Sequence, residues 1–531
     1  MSTADSGNST HGTQVVLVMT AICMMVVGYN TTAVATVLPN LKSDFDLSPT
    51  ALQWVMAIYT VVSATLVTIL SRLGDISGKM GIFFFGMIIF AIGSATALFA
   101  VDGAMLLAGR GIQGAGAAAL FGTSLALLTA ATPEEKRGGV MGIWGAVIGL
   151  AISIGPIVGG AFANYISWRS IFAADILLLA VAFVVGLRVS KMGYVPDTRM
   201  SGAKLDYPGA VAIVFLLGPL SFALSNGDNW GWTSPGILLP LVIALLAAIA
   251  LFITSRRSDD PLVELRYFKH PRYLMAALGM FFTGFTLFCF FVFFNVFVQS
   301  PDAFGYSSIR AGMAVLPLSM MMFVVSVIAP RILAPYSFRW PITIGMAALA
   351  VGFVLLAQTS NTSSYSEIWW KLAIVGFGMG ICFSLLPHLG LRVLPDIHVG
   401  QGSGVINTFL YFGATLGSVL GGLMQALTMR SGLTEVLAAL PAGSTEHKDL
   451  AGDLIHSSPS VIEQELAKLD PESSAALAKA LRDLQDNAFD SAMLVSAAGG
   501  FIGMILAFWL LRGAVPPNHS AEKLVHPDAT D

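Results

Sequence analysis

Charge is scarce in this sequence. Asp, Glu, Lys and Arg make up 11% of its 531 residues, while hydrophobic types make up 55%; a typical soluble domain is about 25% charged. A soluble two-domain enzyme would not stay dissolved on so little charge. The two signs nearly cancel, 28 basic against 31 acidic residues, so the basic field of a nucleic-acid reader is missing. Intrinsic disorder is excluded as well, because disordered chains are poor in apolar residues. Cysteine is rare: Cys23, Cys289 and Cys382 each sit inside an apolar run. They read as packing residues, and no Cys/His spacing suits a metal. A Gly-x-x-x-x-Gly-Lys-Ser/Thr phosphate loop is absent, which excludes intrinsic ATP drive. Neither a His-rich metal set nor a nucleophile/base pair appears in the apolar runs, so an integral-membrane enzyme is disfavoured and no cofactor is implied. Met1 to Thr13 carries no Lys or Arg. It does not resemble a signal peptide, and the apolar run after it is too long for an h-region.

What the chain has in plenty is long apolar runs. A helix needs about 20 apolar residues to cross a bilayer. Fourteen such runs occur, at 14–38, 51–71, 82–101, 104–130, 139–163, 168–188, 208–226, 234–254, 274–298, 310–331, 340–358, 367–391, 402–428 and 491–512. The predicted class is an all-α polytopic membrane protein whose main surroundings are the lipid bilayer. Arg72, Lys79, Lys136, Arg137, Lys191, Lys204, Arg256, Arg257, Lys269 and Arg272 fall in connections on one side. Lys42, Arg169, Arg310 and Lys371 fall in the short connections on the other. The positive-inside rule then places both termini in the cytoplasm. Residues 429–490 form one long polar outer segment with five basic and eleven acidic residues. Val461 to Asp490 reads as one or two amphipathic helices, with Asp470-Pro471-Glu472 as a start signal. This segment is read as a solvated cap, with a docking surface for a periplasmic adaptor as the other reading.

Three motifs carry mechanical information. Arg72, Gly74, Asp75 and Gly78 lie in the inner loop after the second span. The glycines permit a tight turn, and Asp75 can cap a neighbouring helix or pair with a cation. In the fourth span, Arg110-Gly111-Ile112-Gln113-Gly114 puts an arginine several residues inside the boundary, where it needs a partner or water. In the fifth span, Gly145, Gly149 and Ser153 recur at four-residue spacing and lead to Gly155-Pro156-Ile157-Val158-Gly159-Gly160. Small residues one turn apart let helices approach closely, and the proline removes a backbone hydrogen bond. The combination suits a hinge at a central seam.

These features, in this order, resemble the major facilitator superfamily. Trp168-Arg169, Leu205-Asp206, Asp260-Pro261-Leu262-Val263 and Gly305-Tyr306-Ser307 fit the same pattern. With fourteen spans, the chain looks like the fourteen-helix drug/proton antiporters of the EmrB/QacA type from about Val15 to Arg512. The resemblance implies two six-helix bundles, over 14–190 and 270–512, around a central cavity. An inserted helix pair at 205–256 lies between them, with tails at 1–13 and 513–531. It also implies export rather than import, driven by protons, and a bacterial inner membrane. The chain departs from the family in places. Ile76, Met80 and Gly81 replace common basic residues, which weakens the expected inner gate. Asn30 stands where the first span usually carries an acid, and Asp175 stands where the family usually has Asn.

Asp175 lies about 10 Å below the outer boundary of its span, and Arg110 and Asn30 fall at similar depths. We expect Asp175 to exchange protons while Arg110 tunes its proton affinity; a permanent structural pair is the other reading. Gln53, Trp54, Tyr59, Gln113, Asn295, Gln299, Asn407 and Tyr411 are the polar or amphipathic residues that can line a mostly apolar substrate pocket, or serve as interface anchors. His388 reads as an interface residue. The leading expectation is proton-coupled efflux of apolar or amphipathic small molecules, drugs or secondary metabolites. The alternatives are a dedicated exporter or importer of one metabolite, such as a siderophore or antibiotic, and a membrane sensor or scaffold that moves nothing.

Overall fold

The computed structural model of the chain describes residues 3–47, 49–196, 199–200, 202–300, 304–332, 337–360, 363–439 and 471–512. The helices in chain order are α1 (Thr3–Thr36), α2 (Leu38–Phe45), α3 (Pro49–Ser77), α4 (Lys79–Leu98), α5 (Gly103–Ala130), α6 (Glu134–Tyr165), α7 (Ser170–Met192), α8 (Tyr207–Trp230) and α9 (Pro235–Arg257). Then come α10 (Pro271–Gln299), α11 (Ser308–Ala314), α12 (Leu316–Ile332), α13 (Arg339–Leu356), α14 (Tyr365–Leu391), α15 (Val399–Ala439) and α16 (Pro471–Leu510). No strand occurs among the described residues. Helices satisfy all their backbone groups internally, which is what a segment in hydrocarbon requires.

Thirteen of these helices are long and apolar enough to cross a bilayer. The tenth expected run, 310–331, forms two pieces instead. Pro317 has no N–H to continue the preceding turn, so α11 closes at Ala314 and α12 follows with 17 residues. With α12 the spans number the expected fourteen. An even number leaves both chain ends on one side, called here the terminal face.

Helices α1 and α3–α7 pack on one another, and so do α10–α16. Helices α8 and α9 pair with each other, and α8 lies against α3 and α15. The two bundles with an inserted pair are those that the sequence predicts. Small residues set the close contacts. A Cβ on Gly93 of α4 would lie 2.5 Å from the backbone nitrogen of Gln113 on α5, so only glycine permits that approach.

The segment 429–490 differs from expectation. Helix α15 continues to Ala439 and runs 41 residues, about 60 Å at 1.5 Å per residue. That is about twice the hydrocarbon thickness. Helix α16 begins at Pro471, at the predicted start signal, and its 40 residues likewise outrun the bilayer. Leu484 packs on Gly432 where the two helices extend, and Phe489 stacks on Phe297 with ring centroids 4.2 Å apart. Much of the expected loop is therefore a continuation of two spans. Residues 440–470 lie outside the described part.

Candidate functional site

Five helices bring polar side chains to one buried point in the first bundle. Asp175 on α7 is fully buried. Its Oδ2 accepts from Asn30 Nδ2 at 2.7 Å, Ser94 Oγ at 3.0 Å and Gln113 Nε2 at 3.1 Å. Its Oδ1 accepts from the Tyr29 hydroxyl, which also lies 2.9 Å from the carbonyl of Ile171. Arg110 is equally buried. It reaches Asp175 through intermediaries: Nη1 donates to Asn30 Oδ1 and, at 2.8 Å, to Gln113 Oε1. Its Nε donates to Val55 O at 3.2 Å, and its Cζ sits 4.4 Å from the Tyr59 ring centroid. Tyr59 in turn donates to Val27 O. Charges taken out of water need such partners, because an unpaired buried charge is very costly. Asp175, Arg110 and Asn30 thus meet. The expected direct Asp–Arg pair is replaced by a relay through two amides. Such an amide holds both ends in one geometry, its oxygen toward the cation and its nitrogen toward the carboxylate.

The α1–α6 contact sits on the next turn of α1. Gly155 of α6 fits against Tyr29 O and Ala33, Gly159 against Ala33 and Thr36, and Gly160 is buried beside it. Pro156 lacks the N–H that would bond Ile152 O. Thr32 Oγ1 of α1 takes that carbonyl instead, donating at 2.6 Å. Helix α6 stays continuous through the proline. Its other small residues face the second bundle: Gly142 meets Ser326 O, Gly145 meets Phe383 O and Gly149 meets the Met322 side chain. The Ser153 side chain lies outside the described ones. Near the end of α14, the His388 ring packs 5.4 Å from that of Phe338 and against Gly138 of α6.

At the terminal face, α3 meets α15 across the bundles. Gly78 adopts φ +112°, a left-handed turn that glycine favours. Gly74 packs against Thr123. Asp75 plays both roles expected of it. Its Oδ2 accepts from the backbone nitrogen of Gln401 at 2.6 Å, in the first turn of α15, and it pairs with Lys79 at 3.2 Å. A carboxylate at a helix N-terminus meets the positive end of the helix dipole. Arg72 donates to Gln401 Oε1 at 3.3 Å and lies 3.5 Å from Asp260. Gln401 also donates to Pro261 O and Leu262 O. Asp206 caps α8 through Gly209 and accepts from Leu262 N at 3.1 Å. The Leu205-Asp206 and Asp260-Pro261-Leu262-Val263 motifs are therefore one structure, clamped to the α3–α15 contact by Gln401. Further inward, Thr68 bonds Thr408 at 2.6 Å and Ser403 donates to Gly122 O at 3.2 Å.

The cavity residues divide. Gln113 and Tyr59 belong to the Asp175–Arg110 cluster. Trp54 stacks on Phe222 of α8, ring centroids 5.5 Å apart. Asn295 and Gln299 bond each other at the end of α10, on the face they share with the exposed Val292 and Val296. The Gln53 side chain lies outside the described ones. Asn407 and Tyr411 lie one turn apart on the face of α15 that carries Ser403 to α5. Tyr411 packs on Phe121, itself 5.2 Å from Trp144. Asn407 is fully buried, and neither its amide nitrogen nor its oxygen has a partner among the described residues.

Sequence reasoning missed Tyr29, Ser94 and Gln401. Tyr29 precedes Asn30 and was open to the same depth argument. Ser94 carries no signal of its own, although Gly93 beside it marks a close approach. Gln401 is an ordinary polar residue at a helix start, and nothing local ties it to a loop over 300 residues away.

The family model described as Major Facilitator Superfamily matches residues 20–204 and 207–418. Multidrug resistance protein Stp of Mycobacterium tuberculosis is 28% identical over 413 residues, covering 77% of this chain and 75% of that one. Multidrug resistance protein 3 of Bacillus subtilis is 30% identical over 412 residues, covering 77% and 79%. Among solved structures, the human organic anion transporter MFSD10 (TETRAN) superimposes with a TM-score of 0.58 at 14% identity, over 93% of this chain and 99% of that one.

Proposed function

This chain belongs to the major facilitator superfamily, and from that premise we propose that it exports apolar or amphipathic small molecules, drugs or secondary metabolites, in exchange for protons. As a member it is an integral-membrane transporter. Two relatives named for multidrug resistance, each covered over three quarters of its length or more, support efflux. We take residues 14–190 and 270–512 as the two bodies that rock about the seam, with 205–256 as the inserted pair. The terminal face is assigned to the cytoplasm of a bacterial inner membrane, with support from the basic residues gathered there. The arrangement corresponds to a state closed on that side, held by Asp75, Gln401 and the Thr68–Thr408 bond.

The observation that carries proton exchange is the setting of Asp175. Its carboxylate is buried and held by donors on three other helices, and its contact with the one nearby cation is indirect. Adding a proton at Oδ1 would reverse the Tyr29 hydrogen bond, and adding one at Oδ2 would displace Asn30 or Gln113. Either change alters how α1 sits on α7. Asn407, with its empty amide between Ser403 and Tyr411, is the polar residue best placed to hold a substrate, and Phe121, Trp144 and Tyr411 supply apolar walls.

The test is flux. The purified full chain in proteoliposomes, with an imposed pH gradient, should move a lipophilic drug against its gradient, and an uncoupler should stop it. Accumulation in cells with and without the gene should show the same dependence. Absence of flux for every compound in a broad panel would favour the sensor reading instead.

A further inference from the structure

An apolar groove of about 660 Å³ runs between α8 and α9 on their outer side. It begins at Tyr207 and Thr254, next to the terminal face, and ends at Phe215 and Ile243. Ala212 and Ala247 form its floor; their small side chains leave the space open. From Thr254 to Ile243 is about 16 Å along the helix, close to half the hydrocarbon thickness of about 30 Å. The groove thus spans one leaflet, starting at that leaflet's headgroups.

Its mouth is basic. On α9 the lining positions 243, 247, 250 and 254 follow helical spacing, and the next position on that stripe is Arg257. Arg257 is exposed. Arg256 turns to the other side of α9, over the exposed Phe252 ring 4.5 Å away, and does not line the mouth. Lys204 is three residues before Tyr207 on the other wall. The acidic residues nearby are largely engaged: Asp206 by Gly209 N and Leu262 N, Asp260 by Arg72 and Lys204 N. Asp259 is the exposed exception. We infer that this groove is a binding site for one anionic phospholipid of the leaflet at the terminal face, an acyl chain between α8 and α9 and its phosphate on Arg257. A basic pocket between helices at the membrane surface selects anionic headgroups, and the apolar slot of leaflet length takes the chain. The site is independent of what the protein transports. It lies behind the transport seam, since the opposite face of α8 packs Ala210, Ile213 and Leu217 on Leu66 and Ile69 of α3.

The full chain is reconstituted in phosphatidylcholine vesicles carrying a trace of spin-labelled phosphatidylglycerol or spin-labelled phosphatidylcholine, and the motionally restricted fraction is read by electron paramagnetic resonance. The site predicts a larger restricted fraction for phosphatidylglycerol. R257Q, at an exposed position, should lower that preference about fivefold, the effect of about 1 kcal/mol for one basic side chain, and R256Q, on the other side of α9, should lower it less. Ala247→Phe, which fills the floor, should remove it while leaving the arginines in place. Equal restriction of the two lipids in the parent protein overturns the inference. A preference that survives Ala247→Phe also overturns it, by assigning the selectivity to surface charge alone.

Discussion

Asp175→Asn separates the chemistry of Asp175 from its structural role. The amide fits the site in one orientation. With its oxygen where Oδ2 stands, it accepts from Asn30, Ser94 and Gln113 as the carboxylate does. Its nitrogen then donates to the Tyr29 oxygen, and the Tyr29 proton goes to Ile171 O, already 2.9 Å away. The donors already present keep their acceptors, but one N–H of the new amide is left over, at about 1–3 kcal/mol, and the negative charge that buried Arg110 faces through the two amides is lost, so some loss of stability is expected with the local geometry kept. Asp175→Ala is the contrast. It leaves the donors of Asn30, Ser94 and Gln113 facing apolar surroundings, at about 1–3 kcal/mol each.

If Asp175 exchanges the proton, the functional effect is large, because an amide does not titrate. If one proton returns for each molecule exported, one unit of pH gradient supplies about 1.4 kcal/mol, a tenfold change in the limiting substrate ratio. Parent proteoliposomes should show that tenfold dependence and Asp175→Asn none, with passive exchange retained. An Asp175→Asn protein that still builds a gradient proportional to the pH difference would refute the reasoning.

Other consequences follow from the same geometry. Thr32→Val leaves Ile152 O without a donor and should cost about 1–3 kcal/mol, read as a lower melting temperature in detergent; adding Pro156→Ala restores an N–H and should recover part of the loss. Asp75→Asn replaces a charged hydrogen bond to α15, worth about 1.5–3 kcal/mol, by a neutral one and removes the pairing with Lys79, and should favour opening of the terminal face; a cysteine at Ser403 should then react faster with an impermeant thiol reagent from that side, against a background of three buried native cysteines. Asn407→Leu should raise stability, since it removes two unpartnered buried polar atoms, while lowering transport. Unchanged flux of every substrate in that variant would remove Asn407 from the binding site. Gly149→Leu drives a side chain into Met322 and should slow exchange between states while the protein still folds, in a flux assay paired with a melting curve.

The sequence made some levels of this structure legible and hid others. Spans were readable because hydrocarbon demands an unbroken apolar run, and even the interrupted 310–331 run was found by composition. Depth was readable at 1.5 Å per residue, which is why Asn30, Arg110 and Asp175 were expected at one level and do meet. Azimuth was not. Gln113 was assigned to the cavity, yet its side chain turns to Asp175 and Arg110. The extension of α15 is hidden for another reason: once a helix leaves the bilayer its polar residues read as loop, although the helix continues; the polar start of α16 reads as helix, but its continuity with the last span does not show. Partners across the α3–α15 contact are hidden too. Asp75 announced a capping role, but the helix it caps is chosen by the tertiary fold.

The two mechanical features share one short stretch of α1. Tyr29 and Asn30 face Asp175, while Thr32, Ala33 and Thr36 fit the notch of Gly155 and Gly159 and replace the hydrogen bond that Pro156 removes. These residues lie within two helical turns, so α1 cannot shift on α7 without pressing on α6. Helix α6 then meets the second bundle through Gly142, Gly145 and Gly149. If Asp175 is the coupling carboxylate, its proton reaches the seam through this one helix. Coupling should then weaken when the α1–α6 fit is loosened with Asp175 untouched. Thr36→Ala supplies that case: it removes the hydroxyl seated against Gly159 and a methyl group with it, leaves the carboxylate network intact, and should reduce the substrate gradient built per unit of pH more than it reduces passive exchange. Equal loss of both would place the link elsewhere.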